Sequence, residues 1–208
     1  TQPDRPAGRG KELTSPPVKR VAVEHGIDLI QPARLSDQGV FEKIEQWNPD
    51  VIIVVAFGQI LRKNVLDLPK HGCVNIHGSI LPRWRGAAPI QRSILNGDRS
   101  TGITIMKLDE GVDTGPIITQ EHVEILFSDT SESLGKKLSV VGAKLLVKVL
   151  PDYVSGNIGT IEQPPDGITY APMIQKEEGL LDFSKNAIEL DQQIRAFFPW
   201  PGTYLMVE

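Results

Sequence analysis

VNIHGSILPRWRGAAP, from Val74 to Pro89, begins as the tail of an apolar run and passes directly into glycine, serine and proline. That pattern predicts a strand that delivers its side chains into a loop. Asn75 and His77 are two positions apart, so an extended backbone points both to one side. The first offers an amide N–H; the second offers an imidazole able to take up or release a proton. Downstream, DEGVDTG at Asp109 to Gly115 is a glycine-flanked acidic loop that could bring the Asp113 carboxylate to that imidazole. An amide donor, an imidazole and a carboxylate together suit acyl transfer. Singly, an asparagine at a strand end is ordinarily a turn residue and a histidine in a Gly-Ser loop is ordinarily structural. Their joint occurrence with the Pro82 turn and the Asp113 loop favours chemistry.

Outward from this stretch, strands and helices alternate. Pro16 to His25 carries apolar residues at helical spacing, with Ser15 as cap and His25 at the C-terminal end. A short strand is expected at Asp28 to Gln31. A helix follows at Ser36 to Trp47, with Trp47 in the core. DVIIVVAF at Asp50 to Phe57 is β-branched and uninterrupted, the pattern of a central parallel strand covered on both faces. Ile60 to Leu66 reads as a short helix, Gly72 to Ile76 as a strand and Ala87 to Asn96 as a helix. Thr101 to Leu108 and Ile117 to Ile125 read as strands flanking the Asp113 loop. Asp129 to Tyr153 reads as a long helix opened by a capping box of Asp129 and Glu132. Thr160 to Gln163 is a candidate edge strand, and Ile188 to Phe198 a last amphipathic helix stopped by Pro199 and Pro201. The alternation predicts an α/β fold, a Rossmann-like open and mostly parallel sheet, with ligands beyond the carboxyl ends of its strands.

The 208 residues suffice for a sizeable core, and 40% hydrophobic with 23% charged residues is the composition of a globular protein. No apolar run is long enough for a transmembrane helix. The single cysteine, Cys73, cannot form an internal disulfide and reads as a packed core residue. A formal net charge of −4 argues against general coating of nucleic acid, so an RNA partner needs a local basic surface. TQPDRPAGRGKELTS, residues 1–15, supplies a candidate: Arg5, Arg9 and Lys11 on a Pro- and Gly-rich loop that could lie against phosphates. Ser79 lacks the glycine-framed elbow of a serine nucleophile and reads as a turn residue.

The run HGSILPRWRGAAPIQ with TGITIMKLDEGVDTGPI after it resembles the active-site signature of the formyltetrahydrofolate-dependent formyltransferases, and among them those acting on methionyl-tRNA. The similarity extends along essentially the whole chain. It implies a formyltransferase fold, with residues 1–155 as a catalytic domain lacking a strand-helix-strand portion at its front. Residues 156–208 would end that domain and lead through a linker into a C-terminal barrel. It further implies transfer of a formyl group from 10-formyltetrahydrofolate, as co-substrate, to the α-amine of initiator Met-tRNA, with Asn75, His77 and Asp113 catalytic and no metal. The folate would lie against Phe57, Gly58, Gln59, Ile60, Leu61, Ser79, Leu81, Pro82, Asp109 and Gly111. The tRNA would meet Arg5, Arg9, Lys11, Arg83 and Arg85, Arg9 foremost. A monomer in the bacterial cytosol is implied, an organellar matrix being the alternative. Phe57 stands where tyrosine is common in the family and Met173 where lysine is usual. Other readings are a formyltransferase or hydrolase with a different acceptor, a glycinamide ribonucleotide or a sugar nucleotide, or an inactive binding fragment.

Overall fold

The computed structural model describes residues 1–7 and 12–206. The polypeptide forms two compact units, one of residues 1–52 and 56–72, the other of residues 53–55 and 73–208.

In the first unit, β1 (Arg5–Ala7) and β2 (Glu12–Thr14) pair antiparallel. They are followed by α1 (Pro17–Glu24), α2 (Val40–Gln46) and α3 (Lys63–Leu66). His25 caps the C-terminus of α1, as its position before Gly26 predicts. Asp28 to Gln31 is not a strand: those residues form no ladder, and the Gln31 amide instead bonds the Gln2 carbonyl and the Asp4 carboxylate. Trp47 is not core either. It is 39% exposed, and its indole N–H reaches Asp28 at 2.9 Å, so the polar edge of the ring holds it at the surface. Gly39, in a left-handed conformation (φ 81°), fixes the start of α2 four residues later than the apolar spacing suggests.

A four-stranded sheet, in the second unit but for Ile52, has the order β3 (Ile52–Val54), β4 (Cys73–His77), β5 (Ser100–Lys107), β6 (Ile117–Glu124). The α/β class is the one expected. Strand direction departs from a mostly parallel sheet, because β4 and β5 run antiparallel, as do β5 and β6. Residues 108–116 join β5 to β6 without a helix, and so short a connection permits only the antiparallel arrangement. β3 is shorter than the apolar run that contains it and sits at the edge of the sheet, with Val55 half exposed.

β5 is covered on both faces, Thr101 to Met106 all being buried. Against the sheet packs α5 (Ser131–Val154), burying Leu134, Leu138 and Leu145. A Cβ at Gly142 would stand 3.0 Å from Ile76 Cγ2, so the bare backbone there lets the helix approach β4. The cap of α5 is Thr130, whose hydroxyl accepts from Ser133 N while the Ser133 hydroxyl accepts from Thr130 N. Asp129, expected as the cap, is instead buried one residue earlier. Burial opposes its ionisation, but hydrogen bonds from Lys137, Ser133 and Leu126 N outweigh it and hold the carboxyl below its ordinary range. Ile161 makes an isolated antiparallel bridge with Ile117, in place of a full edge strand.

α4 (Pro89–Leu95) packs on α6 (Ala187–Ala196) and is tied to the preceding 3-10 turn at Lys176–Gly179. Arg92 grips Glu178 through two bonds of 2.6 and 3.0 Å. The Arg92 hydrogen bonds hold the Glu178 carboxyl below its ordinary range, burial opposing them. A carboxyl depressed by folding contributes stability above its unfolded value and loses it as the pH falls through the folded one. Acid should therefore lower the melting temperature from the ordinary glutamate range downward. An Arg92→Leu variant should show a flatter acid limb in melts recorded from about pH 6 to about pH 3.

Candidate active site

β4 sorts its side chains by alternation. Ile76 faces α5, so Asn75 and His77 face the opposite side of the sheet, registered against Met106 and Thr104 of β5. His77 is 5% exposed and Asn75 half-buried. The carboxylate reaches them from the β5–β6 connection. Its base is closed by Lys107 N donating to the Pro116 carbonyl and Leu108 N donating to that of Cys73. Asp113 lies there in the left-handed region (φ 52°), which aspartate tolerates better than most residues.

Asp113 Oδ1 accepts from Asn75 Nδ2 at 3.4 Å, and Oδ2 stands 3.5 Å from His77 Nδ1. Oδ2 also accepts from Gly86 N at 2.8 Å, the shortest contact the carboxylate makes. On the far side of the ring, His77 Nε2 lies 2.9 Å from the Trp84 carbonyl oxygen. A carbonyl only accepts, so Nε2 must donate there. A neutral ring then carries its proton on Nε2 and turns a bare Nδ1 toward Asp113; a doubly protonated ring donates on both sides. In either state Nδ1 faces Asp113 Oδ2, so a proton arriving on Nδ1 would lie between the ring and the carboxylate.

The loop after Pro82 supplies both the Gly86 amide and the Trp84 carbonyl, and it is heavily braced. Trp84 is itself left-handed (φ 64°), a conformation that costs an indole-bearing residue about 1–3 kcal/mol. Its indole N–H donates to Asp98 at 2.8 Å, while Arg83 clamps the same carboxylate at 2.9 and 2.7 Å and stacks on the ring. Burial works against ionisation of Asp98, but the bonds from Arg83, Trp84 and Asn96 prevail and lower its pKa. Gly86 (φ 119°) would drive any Cβ to within 2.7 Å of the Ala171 carbonyl oxygen, so only glycine fits. Residues 169–171 run beside this loop: Arg85 N donates to Thr169 O, Ala171 N to Arg85 O, and Ala88 N to Ala171 O.

The remaining expected residues divide by environment. Arg85 is not a surface arginine: it is 8% exposed and donates Nε and Nη2 to Gln163 Oε1 at 3.0 and 2.7 Å. Arg83 is partly exposed, but its charge is engaged by Asp98. Ser79 and Leu81 are buried, and their polar groups are spent internally. The Ser79 hydroxyl donates to Arg83 O and Thr104 Oγ1 to Ser79 O, while Gln120 Nε2 donates to Leu81 O. Those two residues shape the turn, and Pro82 lies half-buried within it. Asp109 is exposed and closes its own loop by accepting from Gly111 N and the Thr114 hydroxyl. Phe57, Gly58, Gln59, Ile60 and Leu61 surround the turn after β3. Ile60 is 80% exposed and Leu61 buried, and Gln59 is committed to Leu35 N and Ala33 O. Arg5 is exposed and bonds Gln2. Arg9 and Lys11 lie outside the described residues. Among the described residues, no cluster of three or more histidine, cysteine or acidic side chains could hold a metal ion, and no helix is long and apolar enough to cross a membrane.

Residues 1–150 match the model of the formyl transferase family, 150 of the 208 residues and including all three site side chains. The chain belongs to the formyl transferase family. Residues 173–208 match the formyl transferase C-terminal domain. The methionyl-tRNA formyltransferase of Myxococcus xanthus is 48% identical over 204 residues, covering 98% of this chain and 65% of that protein. That of Halorhodospira halophila is 51% identical over 207 residues, covering 100% of this chain and 66% of that one. The chain thus spans about two thirds of the length of these formyl transferase relatives. An N-formyltransferase from Helicobacter canadensis, solved with folinic acid and dTDP-3-aminofucose, superposes with a TM-score of 0.70 at 24% identity. The match covers 86% of this chain and 62% of that one, a likeness of fold.

Proposed function

We propose that the protein carrying this chain transfers a formyl group from 10-formyltetrahydrofolate to the α-amine of initiator Met-tRNA. The observation that carries the reading is the convergence of Asn75, His77 and Asp113 within 3.5 Å of one another's polar atoms along Asp113. Its support is about half-identity to relatives named methionyl-tRNA formyltransferase. A formyl folate would supply a formamide-like carbonyl. Only one of the two Asn75 amide hydrogens is engaged by Asp113, so the other is available to the carbonyl oxygen as negative charge builds on it. One such donor is worth about 3–4 kcal/mol. The acceptor amine forms a bond to the formyl carbon as the bond from that carbon to the folate nitrogen breaks. His77 takes the proton shed by the amine and returns it to the departing nitrogen, while Asp113 orients the ring and balances its charge.

The acceptor is tested by giving the intact protein a labelled formyl donor with Met-tRNA, glycinamide ribonucleotide or an amino-sugar nucleotide. Label on Met-tRNA is expected; label on either small acceptor and none on the tRNA would overturn the proposal. In the same assay, Arg9→Ala should cost about tenfold or more in kcat/KM for Met-tRNA while sparing slow hydrolysis of the donor. A loss of one or two strong phosphate contacts has that size.

A further inference from the structure

We propose that Gln163, held by the buried Arg85, is the positioning residue that sets the Asp113 carboxylate against His77. The inference rests on the reading of Asn75, His77 and Asp113 as the catalytic group. It concerns a residue outside every signature motif, 50 positions from Asp113 and 78 from Arg85.

The geometry is specific. The Gln163 amide spends both of its N–H groups on backbone carbonyls of the catalytic loop, those of Asp113 and Gly115, each at 2.8 Å. Its oxygen accepts two bonds from the Arg85 guanidinium. A side-chain amide has two donors and one acceptor oxygen, so every polar group of Gln163 is used, and used between the two loops that form the site. One loop supplies the carboxylate. The other supplies the Gly86 amide, which grips that carboxylate one residue beyond Arg85.

This matters because Asp113 is poorly fixed by its own backbone preferences. A left-handed aspartate lies above its relaxed conformations, so something outside the loop must hold it there. The contacts to Asn75 and His77, at 3.4 and 3.5 Å, are too long to do so. The two bonds from Gln163 fall on the carbonyl of the left-handed residue itself and on that of Gly115, so they clamp the loop from Asp113 onward. Arg85 in turn fixes the amide orientation: with the guanidinium against its oxygen, the NH₂ end can only face the loop. Gln163 is delivered by the Ile161–Ile117 bridge, which aligns residues 161–163 along the end of β6 that emerges from the catalytic loop.

A double-substitution series in the full-length enzyme tests the assignment. Gln163→Ala should lower kcat for formyl transfer about thirty- to a hundred-fold with KM little changed. Gln163→Glu keeps an acceptor for Arg85 but has no N–H for the loop, and should lose as much. In an Asp113→Ala background, Gln163→Ala should cost less than about threefold more, because a residue acting through the carboxylate has nothing left to act on. Equal fold-losses in the presence and absence of the Asp113 carboxylate would overturn the proposal. So would full activity in Gln163→Glu. The crystal structure of Gln163→Ala gives a readout independent of which acceptor the enzyme takes. The Asp113 carboxylate should leave His77, whereas an unmoved carboxylate would refute the positioning role even if the acceptor assay had already refuted Met-tRNA.

Discussion

His77→Gln should reduce formyl transfer about a hundred- to ten-thousand-fold, the range over which a positioned general acid–base group accelerates a reaction. Glutamine is the informative replacement. The imidazole is nearly buried and its Nε2 donates to the Trp84 carbonyl, so an apolar residue would orphan that carbonyl at about 1–3 kcal/mol. A glutamine amide can still donate to Trp84 but cannot cycle a proton. The melting temperature should therefore stay close to that of the parent while kcat collapses, measured by transfer of labelled formyl groups at saturating donor. If the His77→Gln enzyme retained more than about a tenth of the activity, proton transfer through this ring would not be part of the reaction.

Asp113→Asn should act nearly as strongly, about a hundred-fold or more in kcat. Asparagine fits the same volume, tolerates the left-handed backbone and can still accept from Gly86 N. What it lacks is the negative charge opposite His77 Nδ1; with its oxygen kept on Gly86 N, its NH₂ end falls opposite the Asn75 amide, donor against donor. The loss should appear in kcat rather than in KM for either substrate, since no bond to substrate is removed. Circular dichroism and thermal melts should be almost unchanged, and a variant that binds donor and acceptor normally yet turns over at the parental rate would remove the carboxylate from the chemistry.

Local signals carry much of this in the sequence. Apolar alternation marks β4, β5 and β6 to within a residue or so, and helical spacing marks α4, α5 and α6. The identities and spacing of Asn75, His77 and Asp113 mark the candidate site, because strand alternation alone puts the first two on one side. Features set by distant partners are not legible. Nothing near Trp47 shows that Asp28 will take its indole N–H. The strand expected at Asp28 to Gln31 is lost to side-chain bonds with Gln2 and Asp4, whose competition has no periodicity. The shift of the α5 cap from Asp129 to Thr130 follows from burial of Asp129 against Lys137, eight residues on. The apolar run at Asp50 to Phe57 suggests a central strand of a mostly parallel sheet, whereas the short β5–β6 connection sets the direction of the later half. Arg85 is the clearest case. In sequence it is one of a pair of arginines flanking an indole, ready for phosphate; in the fold one partner 78 residues away turns it inward.

The most direct measurement is a crystal structure of the protein with a stable formyl-folate analogue. The formyl oxygen should lie within about 3 Å of Asn75 Nδ2, a normal hydrogen-bond distance, with the Nδ1 edge of His77 and the Asp113 carboxylate beside it both near the nitrogen that will leave. An analogue whose formyl group sat well away from Asn75 and His77 would contradict the account.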